Sequence, residues 1–401
     1  MLALRRSLLL LSLAVLGQVA CAAPTEEAEE QGDDTGEPAE GESAIVPITE
    51  QDETAPASAL APLPLDAAEA DGLLDIRGVG DSGWSNTHEK TPIAAAFGAA
   101  LDRFDPSGKA VKGDLSFINW ETVVGNGCTQ FGNAYSPGRS YAFVSRPESL
   151  VQAYTKGFNL VGLSNNHARD CYASADTSLT GEVASADMTA KNVAALGEKD
   201  WITAGIASPS DERDFTKARV HTFTIKGRQV RVALASMYTG RPSCPRTTCV
   251  GDKSAILASL RDAQADVRIL ALHSMGATDQ DEAVRIGVDF VKSYNGDIVF
   301  GHGPHVWKPL RVVRKSGGGT GVVFESLGNF LHPALGAQSK NFIGRALLDL
   351  RTLKLRQVQV LPVANSGRDI RWSSADGASL PSNLRWTDAP AVHGVYANVK
   401  P

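Results

Sequence analysis

From about Leu73 onward, short apolar runs alternate with Ala-rich amphipathic stretches. Strand periodicity giving way repeatedly to helix periodicity is the mark of an α/β domain. Strands are predicted at 74–79, 115–119, 159–164, 230–236, 267–272, 298–301 and 322–327. Helices are predicted at 91–103, 147–156, 187–196, 253–263 and 279–293. Several predicted strands end in polar or titratable residues: Gly80-Asp81, Asn119-Trp120-Glu121, Asn165-Asn166-His167, His273 and Gly301-His302. In α/β sheets ligands gather beyond the carboxyl ends of the strands, so endings far apart in sequence can converge on one site. No internal repeat of fixed period is visible.

The N-terminus has a different character. Arg5 and Arg6 precede an apolar run at 8–19, too short to cross a hydrocarbon core of about 30 Å. Residues 1–20 read as a secretory signal peptide. Val19-Ala20-Cys21 resembles a bacterial lipobox, with Cys21 as the lipidated residue, although Gln18 stands where a lipobox prefers Leu. Ala20-Cys21-Ala22 also fits ordinary signal-peptidase cleavage, and both routes stay open. The expected location is outside the cytoplasm, lipid-anchored at the bacterial envelope or else periplasmic or secreted, with membrane contact through the lipid only.

Composition sharpens the division. The 401 residues carry a formal net charge of −6, but residues 22–65 hold twelve acidic side chains and no Lys or Arg. Removing those twelve and the two arginines Arg5 and Arg6 leaves residues 66–401 at +4. Residues 21–70 thus read as an acidic, low-complexity tether unable to bury a core. A folded domain is expected over 71–365 and a packed C-terminal extension over 366–401. A charge of +4 over such a length supplies no dense basic stripe, which excludes a nucleic-acid binder. With Cys21 set aside, Cys128, Cys171, Cys244 and Cys249 remain, an even number in an exported chain, where disulfides persist. Cys244 and Cys249 flank a Pro-Arg-Thr-Thr turn and are expected to pair. A zinc site built from the four thiols would lack zinc-ribbon spacing.

Asp81, Glu121, Asn166, His273, His302 and His305 make a set of oxygen and imidazole donors with no thiolate, suited to Mn, Fe or Zn. A bridging carboxylate could hold two such ions, and hydrolysis is the natural use of that arrangement. Taken singly, Gly80-Asp81 would be a turn, Glu121 a surface or capping residue, Asn165-Asn166 a turn pair and His273 a hydrogen-bonded histidine at the core edge. The Gly-His-Gly-Pro-His run at 301–305 is less easily dismissed, because Gly and Pro fix a tight loop presenting both imidazoles. Their joint occurrence, each after its own strand, favours a site.

In order along the chain stand Gly80-Asp81, Phe117-Ile118-Asn119-Trp120-Glu121, the Tyr141-Ala142-Phe143 segment, the block from Gly157 through Asn165-Asn166-His167 to Asp170, Leu272-His273, Gly301-His302-Gly303-Pro304-His305-Val306 and Ser326-Leu327-Gly328-Asn329-Phe330. Over about residues 74–335 this series resembles the bacterial capsule-synthesis CapA family, associated with poly-γ-glutamate. That family is similar to calcineurin-like metallophosphoesterases, which implies a four-layer sandwich of two mixed sheets flanked by helices. Carried over residue by residue, the resemblance implies that Asp81 binds a first metal and Glu121 bridges. Asn166, His273 and His302 would serve a second metal, and His305 would return to the first. His167 would face the substrate as acid or electrostatic stabiliser, with Asn119, Asn165 and Asn329 as substrate contacts.

The chain also departs from the pattern. Phosphoesterases carry a His two residues after the first Asp, where Ser82-Gly83 stands here; the CapA family commonly lacks it too. Gly303 stands where the family often has His. Ser274-Met275-Gly276-Ala277 replaces a stretch with an aromatic residue and a Glu, and Cys171-Tyr172 follows Asp170 where Tyr-Gly is usual. Cys128 and Cys171 follow Glu121 and His167 closely, so both fall on loops over the same sheet face, and a disulfide bracing the site is expected there. The resemblance implies an exported protein that acts in the synthesis, handling or export of an anionic polymer such as poly-γ-glutamate. Its expected partners are that polymer or its precursors and capsule-synthesis membrane proteins. The alternatives are a two-metal hydrolase of phosphate esters or of an amide-linked polymer, and a non-catalytic polymer-binding module.

Overall fold

The computed structural model describes residues 72–210 and 214–372, with two further short strands at Thr387–Asp388 and Val392–Gly394. The signal sequence, Cys21, the acidic tether and most of the C-terminal extension lie outside the described residues. In chain order come β1 (Leu73–Ser82), α1 (Phe97–Phe104), β2 (Leu115–Trp120), β3 (Val123–Val124), β4 (Gln130–Phe131), β5 (Val144–Ser145), α2 (Pro147–Thr155), β6 (Leu160–Gly162), a 3₁₀ turn (Asn166–Arg169), β7 (Cys171–Ala173), α3 (Glu182–Ala195) and β8 (Ile202–Ala204). There follow β9 (Arg219–Ile225), β10 (Arg228–Tyr238), α4 (Lys253–Asp262), β11 (Val267–His273), α5 (Ala277–Ser293), β12 (Ile298–His302), β13 (Trp307–Arg314) and β14 (Thr320–Leu327). The last are β15 (Gln338–Asp349), β16 (Leu355–Asn365), β17 (Ile370–Trp372), β18 (Thr387–Asp388) and β19 (Val392–Gly394).

Two mixed sheets form the body. The first has the order β17-β16-β15-β1-β2-β6-β8, with β18 beside β16; the second has the order β19-β13-β14-β12-β11-β10-β9. In each, a parallel block carries an antiparallel flank. β1, β2, β6 and β8 run parallel, as do β10, β11, β12 and β14. Parallel neighbours need crossovers, and amphipathic helices supply them on the outer faces except between β12 and β14, where the strand β13 intervenes. α1 and α2 bury Phe97, Leu101 and Leu150 against Val79, Ile118 and Val161 of the first sheet. α4 and α5 bury Ile256, Leu260 and Phe290 against Leu270, Leu272 and Val299 of the second. Between the sheets, Ile76 and Phe117 of the first meet Leu234, Ile269, Phe300 and Phe324 of the second. The rings of Phe117, Phe300 and Phe324 stack in series, with centroids 4.8 and 5.6 Å apart. The result is a helix–sheet–sheet–helix sandwich of two mixed sheets. Among the described residues no helix is long and apolar enough to cross a membrane.

The predicted strands all form. The helix expected at 91–103 begins only at Phe97, because side chains capture the preceding carbonyls. Arg146 Nε donates to the carbonyls of Pro92 and Ile93, Trp84 Nε1 to that of Ala94 and Gln152 Nε2 to that of Ala95. Helix α3 starts earlier than expected, at Glu182, directly after Gly181 with φ 75°.

Candidate metal centre

The sheets bring their parallel strand ends together along one edge. β1 delivers Asp81 across a register shift that follows Val79, and its neighbour in β2 is Asn119, two residues before Glu121. β11 and β12 end in register, His273 opposite His302. Beyond His302 the chain must turn sharply. Gly303 has φ +110°, and a Cβ there would lie 1.7 Å from the Ser274 carbonyl oxygen, so only glycine fits. The turn aims the Gly303 N–H at Asp81 Oδ2 (2.9 Å) and returns His305 so that its Nδ1 lies 3.2 Å from the same oxygen.

Asp81 is the shared member of two groups. Asp81, His273 and His302 offer ligand atoms within 4.8 Å of one another, and so do Asp81, Glu121 and His305. Nδ1 of His273 and Nδ1 of His302 each lie 3.5 Å from Asp81 Oδ1 and 2.8 Å from each other. His273 Nε2 is 3.6 Å from Glu121 Oε1. Asp81, Glu121, His273 and His302 are buried, and His305 is partly exposed.

Electrostatics separates the two carboxyls. Burial would raise the Asp81 pKa, but the hydrogen bond from His305 and the charges of His273, His305 and His302 outweigh it, holding the group well below the usual carboxylate range. Glu121 goes the other way: burial, reinforced by the charge of Asp81, pushes it well above its ordinary value. Burial likewise lowers His273 far below the usual imidazole value, and takes His302 down to about 4 against the pull of Asp81. Burial thus favours the neutral form of these two imidazoles, the form that ligates metal.

Both oxygens of Glu121, Oδ1 of Asn166 and Nε2 of His302 are buried with no hydrogen-bond partner among the described residues. Polar atoms left so cost free energy that a cation would return. The mixed oxygen and nitrogen set fits one divalent ion of the Mn, Fe or Zn kind, or two sharing Asp81.

A further row of side chains stands behind these. Asn119 Nδ2 donates to Asp81 Oδ1 (2.8 Å), Asn329 Oδ1 lies 2.7 Å from His305 Nδ1, and Asn165 Nδ2 donates to the Trp120 carbonyl (3.0 Å). All three amides thus brace or adjoin the candidate ligands. Asn166 opens the 3₁₀ turn, and His167 follows. His167 Nδ1 donates to Asp170 Oδ2 (2.8 Å), which also accepts the Phe143 N–H (2.6 Å). Motif reading missed His332, two residues past Phe330. Its ring packs on Phe143 at 4.5 Å, and so does that of His167 at 4.2 Å. It fills the space beside Gly83, where a Cβ would lie 2.9 Å from its Cδ2. Burial, aided by the charge of His167, lowers His332 to about 3. The glycine two residues after Asp81 was the one available signal.

Cys128 is bonded to Cys171 and Cys244 to Cys249, with Cα separations of 5.6 and 5.8 Å. The first bridge ties β7, just after the His167–Asp170 pair, to the loop beyond Glu121. Cys171→Ser is expected to cost about 2–4 kcal/mol, measured by denaturant unfolding, with no loss in the same substitution once the wild type is reduced.

The sequence model of a family described as bacterial capsule synthesis protein PGA_cap matches residues 79–334. A comparison with curated proteins finds no match. Among solved structures the chain is similar to a novel phosphatase from Mycoplasma pneumoniae, at 12% identity and a TM-score of 0.43, over 74% of this chain and 95% of that one. It is also similar to a hypothetical protein from Thermus thermophilus, at 14% identity and 0.39, over 72% and 98%. A third is GAP50, the anchor in the inner membrane complex of Plasmodium, at 11% identity and 0.30, over 82% and 96%.

Proposed function

The chain belongs to the bacterial capsule synthesis protein family PGA_cap, and from that premise we propose that it is exported and hydrolyses a bond in an anionic capsule polymer or its precursor. Poly-γ-glutamate is the proposed polymer, and capsule-synthesis membrane proteins are the proposed partners. One observation carries the hydrolytic part: Asp81 is shared by two carboxylate–imidazole groups, beside a Glu121 whose two buried oxygens have no donor.

In this reading Asp81, His273 and His302 hold a divalent cation, Glu121 with His305 completes a second position, and Asn166, with its buried and unpartnered Oδ1, is the remaining candidate ligand. A cation there supplies Lewis acidity toward a phosphoryl or carbonyl oxygen and makes water acidic enough to attack near neutral pH. The protein's own groups do the rest. Asp170 accepts from His167 Nδ1–H, which fixes the tautomer and leaves Nε2 to exchange a proton with the leaving group. Phe143 packs on the imidazole and limits water around it. Asn119 and Asn329 hold Asp81 and His305 in orientation, as outer partners of metal ligands do.

The test is metal content of the purified protein together with turnover of bis(4-nitrophenyl) phosphate and of a γ-glutamyl oligomer, in wild type and His302→Ala. Bound metal with turnover that falls at least about 10²-fold in the variant is expected. A metal-free protein with no turnover on either substrate would leave a polymer-binding module instead. Export is tested separately. Cys21→Ala is expected to move the protein from the membrane fraction to the soluble one; an unchanged distribution would favour ordinary signal cleavage.

A further inference from the structure

Beside the candidate metal centre stands a second charged cluster that the hydrolytic chemistry does not use. Arg169 ends the 3₁₀ turn that begins at Asn166. Its guanidinium carbon sits 5.7 Å from the centre of the Tyr238 ring, and that ring is 5.9 Å from the ring of His273. Arg241 lies just past β10. Both arginines converge on one carboxylate oxygen: Glu182 Oε1 is 2.8 Å from Arg241 Nη1 and 4.0 Å from Arg169 Nη1, and accepts from Tyr172 Oη at 3.4 Å. The three charged side chains are neither sealed nor free, with relative exposures of 14% for Arg169, 30% for Arg241 and 19% for Glu182.

Each arginine stands near one of the two disulfides. Cys171, two residues beyond Arg169, is bonded to Cys128. Cys249 is bonded to Cys244, and the next residue, Val250, donates its N–H to the Arg241 carbonyl (3.1 Å). A guanidinium stacked on an aromatic face, and a second one whose backbone is pinned beside a disulfide-closed loop and whose Nη1 is already paired with Glu182, lose little freedom when an oxyanion binds. Planar N–H forks match carboxylate and phosphate oxygens. Glu182 already demonstrates that an oxyanion fits between them.

We propose that Arg169 and Arg241 form an anion clamp, which holds a charged group of the substrate next to the one being cleaved and so selects polyanionic chains. The assignment rests on the hydrolytic reading for its biological setting, but not for its test. Glu182 is the resident occupant that a substrate carboxylate or phosphate displaces or joins.

The experiment uses the purified protein in chelator, so that binding is read without turnover. A fluorescein-labelled γ-glutamate pentamer is titrated by anisotropy at low ionic strength, and inorganic phosphate is titrated separately and as a competitor. Arg169→Gln and Arg241→Gln are each expected to weaken binding about tenfold, the loss of a charge-assisted hydrogen bond. Glu182→Gln is expected to tighten it, an opposite sign that general loosening of the rim would not give. Binding of the pentamer that phosphate fails to displace assigns the clamp to carboxylates. Binding of phosphate, alone or by displacement, assigns it to phosphate. Wild-type affinity in all three variants, weaker binding in Glu182→Gln, or no binding of either probe would overturn the proposal. A protein that binds through these arginines yet cleaves neither ester nor γ-glutamyl bond would refute hydrolysis alone.

Discussion

Asp81→Asn is expected to strip the protein of metal and to lower phosphodiester turnover by about 10³-fold or more, several kcal/mol of lost charge stabilisation at about 1.4 kcal/mol per factor of ten. Asp81 is the one carboxylate common to both candidate groups, so its loss removes negative charge from each. The asparagine keeps the shape of the side chain but not its capacity to accept. Asp81 receives the Gly303 N–H on Oδ2 and the Asn119 amide on Oδ1, with two imidazole nitrogens 3.5 Å from that same Oδ1. An NH₂ in place of either oxygen sets a donor against a donor. Elemental analysis and steady-state hydrolysis measure the two effects together. Retention of the wild-type metal content in the variant would mean that Asp81 is a structural acid.

Six residues earlier on the same strand, Asp75→Asn should do the reverse, unfolding the protein more readily by about 3–5 kcal/mol while leaving the metal content of the remaining folded protein unchanged. Asp75 lies at the far end of β1 from the site. Its carboxylate receives Arg345 through Nε (3.0 Å) and Nη2 (3.1 Å) and Arg77 through Nη2 (2.7 Å), and Arg345 reaches on to Gln359 (3.0 Å). The group is buried, with Asp75 and Arg345 each 1% exposed. Neutralising the anion leaves two guanidiniums facing each other without water. Acid should act on the wild type in the same way. Burial would raise the Asp75 pKa, but the charges and hydrogen bonds of Arg77 and Arg345 hold it below the ordinary value. A carboxyl whose pKa is lower in the folded state contributes its full stability above its unfolded pKa and loses it as the pH falls through the folded one. Denaturant unfolding across the acid range should therefore show a decline in the wild type whose Asp75 component is missing from the variant.

The contrast between these two aspartates also explains what the sequence could and could not disclose. Asp81, His273 and His302 were legible because each follows an apolar run at the end of a parallel strand, where topology alone brings them to one edge. The strands β15 and β16 were not. Arg345 in β15, and Gln357 and Gln359 in β16, are buried polar residues that break the alternation expected of a half-buried strand. They belong there because Arg345 serves Asp75 and Gln359 serves Arg345, a partnership across 270 residues that no local pattern reveals. The start of α1 was hidden for a related reason. Arg146 and Gln152 come from a different helix region, yet they decide that the carbonyls at 92–95 bond side chains instead of building a first turn. His332 escaped notice because it follows a loop and not a strand, and its place beside Gly83 exists only in three dimensions. The division of Asp81 between two ligand groups was equally invisible, since spacing along the chain says nothing about which imidazole faces which oxygen.

The proposed hydrolysis depends on a cation at the strand ends. Anomalous diffraction from crystals equilibrated with manganese or zinc addresses that most directly, with data collected at the absorption edge of the metal used. The expected result is a peak at coordination distance, about 2.0–2.3 Å, from Asp81 and the imidazoles of His273 and His302, absent from Asp81→Asn crystals. A map with no peak among these residues in the wild type, or with its only peak elsewhere on the chain, would contradict it.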